Sequence, residues 1–296
     1  MLKKIKRTVG FIAGHPLAAR NKTRAIVEFL FWQIQTLIAP GKYYKKAFAS
    51  TLKVLVKKGQ TGMTGNLYAG LHEFSDMSFL LHLLRPADIF VDAGANVGSY
   101  TLLAAGITGS KAIAFEPVPS TFNVLNKNIE LNELSHLVDV YNKGLSSKSG
   151  ILKFSSSNDT TNHVVKDGAE INIVEVGVCS LDDVLNSDCP SLITIDVEGF
   201  ETEVLKGSNR ILKDQTLKAI IIELNGSGER YGYFDRDIHN SLVILGFHPA
   251  AYDPFSRNLE LKESYGETNT IYIRDFEFVR ERLTTAKEYE IFGVNF

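Results

Sequence analysis

The chain predicts an α/β fold, a doubly wound and mostly parallel sheet, and three observations carry that expectation. Short apolar runs at 89–91, 112–115, 192–197 and 219–224 alternate with helix-forming stretches, the rhythm of βαβ units. The last two, LITIDV and AIIIEL, are almost continuously apolar, as central strands covered on both faces must be. The first run ends in a glycine turn, Gly94-Ala95-Asn96-Val97-Gly98, which feeds helix formers over 100–105.

Taken in order, residues 1–60 read as a basic, helical extension, 61–275 as the α/β domain and 276–296 as a C-terminal tail. At 25–39, AIVEFLFWQIQTLIA predicts an aromatic-rich helix, shorter than the roughly 20 residues that span a bilayer. Residues 61–76 (TGMTGNLYAGLHEFSD) are punctuated by glycine and predict a loop; 77–84 predict an apolar helix stopped by Arg85-Pro86. The helix at 119–132 starts after Pro119-Ser120 and repeats apolar residues at Phe122, Leu125 and Ile129, with the next strand at 138–141. Residues 151–154 and 171–178 predict a strand pair around the polar segment 155–170, followed by a helical turn at 181–185. One helix over 201–212 joins the two apolar runs, and a helix at 235–245 leads to 247–252 and 269–274, an antiparallel pair closing the sheet.

Charge divides the chain. Residues 1–60 hold thirteen Lys or Arg and a single acid, Glu28, leaving 19 basic and 33 acidic residues beyond, although the formal net charge is only −2. A basic arm ahead of an acidic body is expected to meet different partners from the body. Lys3, Lys4, Lys6, Arg7, Arg20, Lys22 and Arg24 precede the apolar helix, so residues 1–40 are a candidate for peripheral contact with an anionic inner membrane face. The favoured expectation packs that helix on the body or on a second copy in a homo-oligomer, with Trp32 as core. Nucleic acid is a poorer partner, because no aromatic stacking motif accompanies the basic residues. Cys179 and Cys189 lack metal or redox spacing, and no cleavable leader pattern is present, which predicts buried thiols in a reducing, cytoplasmic chain.

The glycine turn defines the ligand by charge. A nicotinamide or flavin dinucleotide asks for Gly-x-Gly-x-x-Gly, so that backbone amides hold its pyrophosphate. Here Asp92 precedes the turn; it repels a pyrophosphate and suits the ammonium of a methionine moiety beside a sulfonium, which points to S-adenosylmethionine. Gly94, Ala95, Asn96, Gly98, Ser99 and Tyr100 supply the backbone that approaches such a ligand. Glu116, followed by Pro117, ends the next strand about twenty residues on, where these folds set a carboxylate on the ribose hydroxyls. Glu73, ahead of the first strand, and Asn142, after the third, complete the candidate cofactor contacts.

Three blocks, VDAGANVGSYTLLAA at 91–105, AFEPVPSTFNVLNKNIELN at 114–132 and LITIDVEGFETEVLKG at 192–207, together resemble the FkbM family of S-adenosylmethionine-dependent methyltransferases. GNLYAGLHEFSDM at 65–77, NDTTNHVV at 158–165 and IIELNGSGERYG at 221–232 extend the likeness across most of the α/β domain. The resemblance implies a class I methyltransferase fold with a seven-stranded sheet and one antiparallel strand, and O-methylation of a small-molecule or glycan hydroxyl, a sugar above all. It matches Asp92, Gly94, Asn96 and Gly98 to the methionine-binding turn, Glu116 to the ribose acid, and Asp196-Val197-Glu198-Gly199 to the fourth-strand motif. Thr194 departs from the family, which commonly has Lys there.

Methyl transfer from a sulfonium is an in-line displacement that depends on alignment, but a hydroxyl acceptor must also lose a proton. Open α/β sheets bind ligands at their carboxyl edge, where Asp196 and Glu223 end two of the apolar runs. These two are the candidate bases, or the ligands of a divalent cation such as Mg²⁺, although Leu224 stands where a further acid would strengthen a metal site. His163, beside the polar run 158–162, is a candidate base at the acceptor, and His72 a second; His239 and His248 read as structural. Glu198 reads as a cap of the 201–212 helix as readily as a site acid.

Overall fold

The computed structural model describes residues 2–156, 161–165 and 172–296, with side chains from residue 6 onward. The side chains of Lys3 and Lys4, the run Asn158-Asp159-Thr160 and the start of the 171–178 strand lie outside that description. Helices α1 (Leu2–Gly14) and α2 (Lys22–Ile38), the hairpin β1 (Tyr44–Ala47) and β2 (Lys53–Val56), and helices α3 (Thr61–Ala69) and α4 (Phe74–Leu83) precede the sheet. Its first half is β3 (Ile89–Ala93), α5 (Ser99–Leu103), β4 (Lys111–Phe115), α6 (Pro119–Leu131) and β5 (Val138–Tyr141). Three short strands, β6 (Gly144–Leu145), β7 (Gly150–Ser155) and β8 (Ile173–Cys179), and α7 (Leu181–Leu185) lead to β9 (Leu192–Ile195). Then come α8 (Glu201–Lys206), α9 (Asn209–Lys213), β10 (Ala219–Glu223), α10 (Asp235–Ile244), β11 (His248–Asp253), β12 (Asn258–Leu261) and β13 (Asn269–Ile273). Helix α11 (Phe276–Thr284) and a two-stranded hairpin, β14 (Glu290–Ile291) and β15 (Val294–Asn295), close the described chain.

The central sheet has the order β12-β11-β13-β10-β9-β3-β4-β5. Pairing is parallel from β5 through β10, and antiparallel between β10 and β13, β13 and β11, and β11 and β12. The chain leaves β3 toward β4 on one side and returns to β9 on the other, so the switch point lies between the carboxyl ends of β3 and β9. The expected seven strands with one reversed become eight with two reversed. The extra edge strand, β12, is a hairpin return from β11, turned by Asp253, whose carboxylate accepts from Phe255 N and Ser256 Oγ.

Alternation along the strands fills two cores. Phe90, Ala112, Leu192, Ala219 and Ile221 join the cluster under the N-terminal helices, α4 and α5, while Val91, Ile113, Ile193, Ile220 and Ile222 join the one under α7 to α10. Both faces are therefore dry, which is why the runs read as continuous rather than alternating. The extension belongs to the first core: Phe29 packs edge-on to Tyr68 at 5.3 Å and Trp32 edge-on to Tyr44 at 5.7 Å. The last residues belong to it as well, with Phe296 against Phe74 at 5.1 Å and Tyr289 donating its hydroxyl to Leu81 O.

Three local expectations give way to tertiary packing. The glycine-punctuated 61–76 segment is helical over Thr61–Ala69, because Met63 to Ala69 are all buried and that burial outweighs the poor helix propensity of Gly62 and Gly65. Gly65 is required by its neighbour, since a Cβ there would meet the His72 ring at 2.2 Å. The single 201–212 helix breaks at Gly207, which lies so close to Ser146 that a Cβ would sit 2.1 Å from its carbonyl oxygen. The hairpin β1–β2 is not foreseen at all; Asn128 and Asn132 of α6 hold its second strand by accepting from Leu55 N and Lys53 N.

Trp32 is 3% exposed, so Trp32→Ala is expected to cost about 3–5 kcal/mol of unfolding free energy. Urea denaturation checks this, and an unchanged midpoint would mean that α2 is not part of the cooperative core.

Candidate functional site

A cavity of about 490 Å³ opens at the switch point. One wall is the turn after β3. Gly94 and Gly98 adopt φ of 89° and 97°, and Asn96 adopts 49°, a left-handed conformation that asparagine tolerates better than most residues. Asp92, Gly94, Ala95, Asn96, Ser99 and Tyr100 line the cavity; Gly98 does not, and instead starts α5 where a Cβ would strike Leu125 at 2.6 Å. Asp92 is held by two hydroxyls, Thr101 Oγ1 at 2.5 Å and Thr194 Oγ1 at 2.9 Å. Burial pushes its carboxyl above the ordinary range, against the pull of those hydroxyls. Thr194, which stands where the family commonly has Lys, thus holds Asp92 from the neighbouring strand.

Glu116 closes the far side of the turn. Its carboxylate accepts from Asn96 N at 3.0 Å and Val118 N at 2.8 Å, and burial pushes its pKa up to about 7. Pro117 lines the cavity beside it. Asn142 stays outside the wall and donates to the carbonyls of Glu116 and Pro117, both at 2.9 Å, bracing the backbone that carries the acid.

The opposite wall is acidic. Asp196, Glu198 and Glu223 each bring one carboxylate oxygen within 4.8 Å of the others. Burial and then the Glu223 charge push Asp196 well above its usual pKa; burial and then Glu73 raise Glu223; burial, Glu223 and Glu201 raise Glu198 to about 7. Asp196 and Glu223 lie close enough that the Glu223 charge disfavours ionisation of Asp196, and Glu223 Oε2 is buried with no donor group reaching it. Glu198 sits at φ 54°, a strained position for its residue type. It does not cap α8, whose N-terminus has no side-chain cap; Glu201, the first residue of that helix, reaches back to accept from Gly199 N at 2.9 Å and Val197 N at 3.4 Å.

The roof comes from the segment before the sheet. Glu73 accepts from Tyr100 Oη at 2.7 Å and from Asn269 Nδ2 at 3.0 Å; the same amide reaches Asp76, raised to about 7 by burial and then by Glu73. Asn269 stands opposite Glu223 in the β10–β13 register, a juxtaposition invisible in sequence. Asn66 donates to Ser99 Oγ and accepts from His72 N, fixing α3 to the turn. His72, Thr161 and Asn162 line the cavity, whereas His163 does not; its Nδ1 lies 3.0 Å from Thr161 O. His239 is structural, with Nδ1 2.9 Å from Tyr272 Oη. Arg7 of α1 and Lys143 are the basic residues of the lining. Its acids, Glu73, Asp92, Glu116, Asp196, Glu198 and Glu223, outnumber them, so the cavity favours a cationic occupant.

Comparison with known proteins agrees with this geometry. The methyltransferase FkbM domain matches residues 92–249. Hexuronic acid methyltransferase AglP of Haloferax volcanii is 32% identical over 149 residues, 49% of this chain and 59% of that protein. Methyltransferase sdnD of Sordaria araneosa is 31% identical over 169 residues, 45% of this chain and 65% of that one. The chain therefore spans less than two thirds of the length of either relative. Among solved structures, an rRNA methylase from Streptococcus thermophilus aligns with a TM-score of 0.40 at 14% identity, over 67% of this chain and 93% of that one, too loose a match to argue from. The matched region takes in the glycine turn, Glu116 and the acidic strand-end motif, which line the cavity, and the chain belongs to the FkbM methyltransferase family.

Proposed function

We propose that the chain is an S-adenosylmethionine-dependent O-methyltransferase whose acceptor is a hydroxyl of a sugar, glycan or related metabolite. The observation that carries this reading is the Asp196–Glu223 carboxyl pair facing the glycine turn across one cavity. On this reading Asp92, with the turn through Tyr100, receives the methionine end, and Glu116 receives the ribose. A carboxyl with a raised pKa is a stronger base when ionised, so the pair is suited to take the acceptor's proton as the methyl group moves in line. The hexuronic acid named for the AglP relative supports a sugar acceptor, and Arg7 and Lys143 offer cations to an acidic one. His163, one residue beyond the cavity wall, has a subordinate place in this scheme.

The spacing of Asp196, Glu198 and Glu223, with a buried Glu223 oxygen that no donor reaches, also fits a hard divalent cation such as Mg²⁺. When bound, such an ion would lower the acceptor hydroxyl's pKa. The chain's own part is unchanged: the three acids hold the acceptor oxygen near the methyl group and Asp92 orients the donor.

Glu116→Gln is expected to weaken S-adenosylmethionine binding about tenfold, the worth of one hydrogen bond to a charged group. Titration calorimetry measures this, and undiminished affinity would sink the ribose assignment. Asp196→Asn should lower kcat by about 10²- to 10⁴-fold with cofactor affinity nearly kept, read as S-adenosylhomocysteine released over a panel of hexuronic acids, hexoses and alcohols. Wild-type turnover by the variant, or no turnover by the parent with any hydroxyl, would refute the transfer reaction.

The acids also predict a pH response. Glu116, Glu198 and Glu201 have folded pKa values raised to about 7, so the fold binds protons that the unfolded chain has released. Their stabilising contribution is full below the ordinary glutamate pKa and is lost as pH rises through about 7. The ligand-free protein should melt at a lower temperature at about pH 8 than at about pH 6, and added S-adenosylmethionine should raise the melting temperature more at the higher pH. Calorimetric scans at both pH values check this; a ligand-free protein more stable at the higher pH contradicts it.

A further inference from the structure

Helix α2 is apolar on two opposite faces, and the fold uses one. Ala25, Phe29, Trp32 and Thr36 are buried against the body. Val27, Leu30, Phe31, Ile34, Leu37 and Ile38 form a second stripe at helical spacing and are 50% to 79% exposed. A continuous exposed stripe of this kind marks an interaction surface rather than the scattered apolar residues of an ordinary exterior.

The charges around it have one sign. Glu28, half-buried, is the only acid in the first sixty residues, while Lys22, Arg24 and Lys42 are exposed near the two ends of the helix. Lys46 Nζ lies 4.5 Å over the Phe31 ring and Lys57 Nζ 5.2 Å over that of the exposed Tyr43, so the rim pairs aromatic rings with ammonium groups. Two copies of this face in a symmetric dimer would set these cations against each other with one glutamate per chain to offset them. An anionic bilayer supplies both complements, hydrocarbon for the stripe and phosphate charge for the lysines. With 17 residues, α2 is about 25 Å long, and among the described residues no helix is long and apolar enough to cross a membrane, so the helix would lie flat.

We infer that α2 docks in the interfacial layer of an anionic membrane, its exposed stripe against the acyl boundary and Lys42 and Lys46 on lipid phosphates. The inference is independent of the transfer reaction. Flotation of the full chain with vesicles containing phosphatidylglycerol, or with pure phosphatidylcholine vesicles, tests it, with thermal melting by circular dichroism as the check that variants fold. The wild type should float with the anionic vesicles only. The double variant Leu30→Glu, Ile34→Glu should stay in solution, and Lys42→Gln should weaken vesicle affinity about fivefold, one lysine's share near a charged surface. The Lys42 variant, at an exposed position, keeps the test valid should the double variant unfold. A wild type that does not float with anionic vesicles overturns the proposal, as does a folded double variant that floats equally well. So does a wild type that stays in solution and sediments as a dimer which Leu30→Glu, Ile34→Glu splits, since that result gives the face to a second copy.

Discussion

The site depends on one crowded junction, where the backbone of Gly94 passes the carbonyl of Asp196. A Cβ at position 94 would lie 1.8 Å from that oxygen, and φ at 89° already excludes most side chains. Around this contact, Gly94 N and Ala95 N donate to Phe115 O, and Asp196 N donates to Ala93 O. The ends of β3, β4 and β9 are thus tied together by main-chain atoms alone. A parallel sheet leaves a crevice wherever its strand order reverses; here the backbone contact narrows that crevice until the glycine turn and the acidic loop share one cavity. Position 94 therefore serves the acid wall as much as the turn to which it belongs.

That closeness has an electrostatic cost, and the cost indicates the occupant. Asp92, Glu116, Asp196, Glu198 and Glu223 are all held above their ordinary pKa, in each case first by burial. Carboxylates in an isolated structural core would be paired with Arg or Lys; among the described residues the lining has two such cations, Arg7 and Lys143, for six acids, while Arg274 is held on the carbonyls of Leu212, Asp214 and Leu245 and Arg282 on Asp88. The positive complement is left for a ligand to bring. A sulfonium with an adjacent ammonium meets that demand, whereas a dinucleotide would add phosphate charge to a negative wall. The sign inferred from Asp92 alone is repeated by every acid that folding brings in.

How much of this was legible depended on whether the signal was local. The strands β3, β4, β9 and β10, the turn at 94–98 and the acids Asp92, Glu116, Asp196 and Glu223 stand in contiguous blocks whose apolar runs and glycines state their own geometry. Glycine misled at 61–76: the same residue that permits a loop also permits close packing, and Gly65 is there for the His72 ring rather than for a turn. Thr194 looked like a missing lysine, because its partner Asp92 lies about a hundred residues away and only the β3–β9 register brings the hydroxyl to the carboxylate. Asn269 and Asn66 carried no signal, for each acts by bridging two elements that the sequence keeps far apart. Glu198 and Glu201 were separable only by backbone conformation, since with a left-handed φ at 198 one acid lines the cavity while the other braces the Val197–Gly199 loop.

The basic extension shows why composition alone leaves two readings open. A helix buried on one side needs one apolar stripe, and α2 has two; the first satisfies the core through Phe29 and Trp32, and folding gives the second nothing to cover it. Exposing that second stripe to water costs the folded state nothing relative to the unfolded chain, but it confers no stability either, so its arrangement in register along the helix has no origin in folding. The preceding helix is tied to the body by Arg7 at the cavity wall and by His15, whose ring nitrogen lies 3.2 Å from His72 O. On the inference drawn above, an extension tied to the cavity through α1 and apolar with a cationic rim along α2 would hold that cavity at an anionic surface.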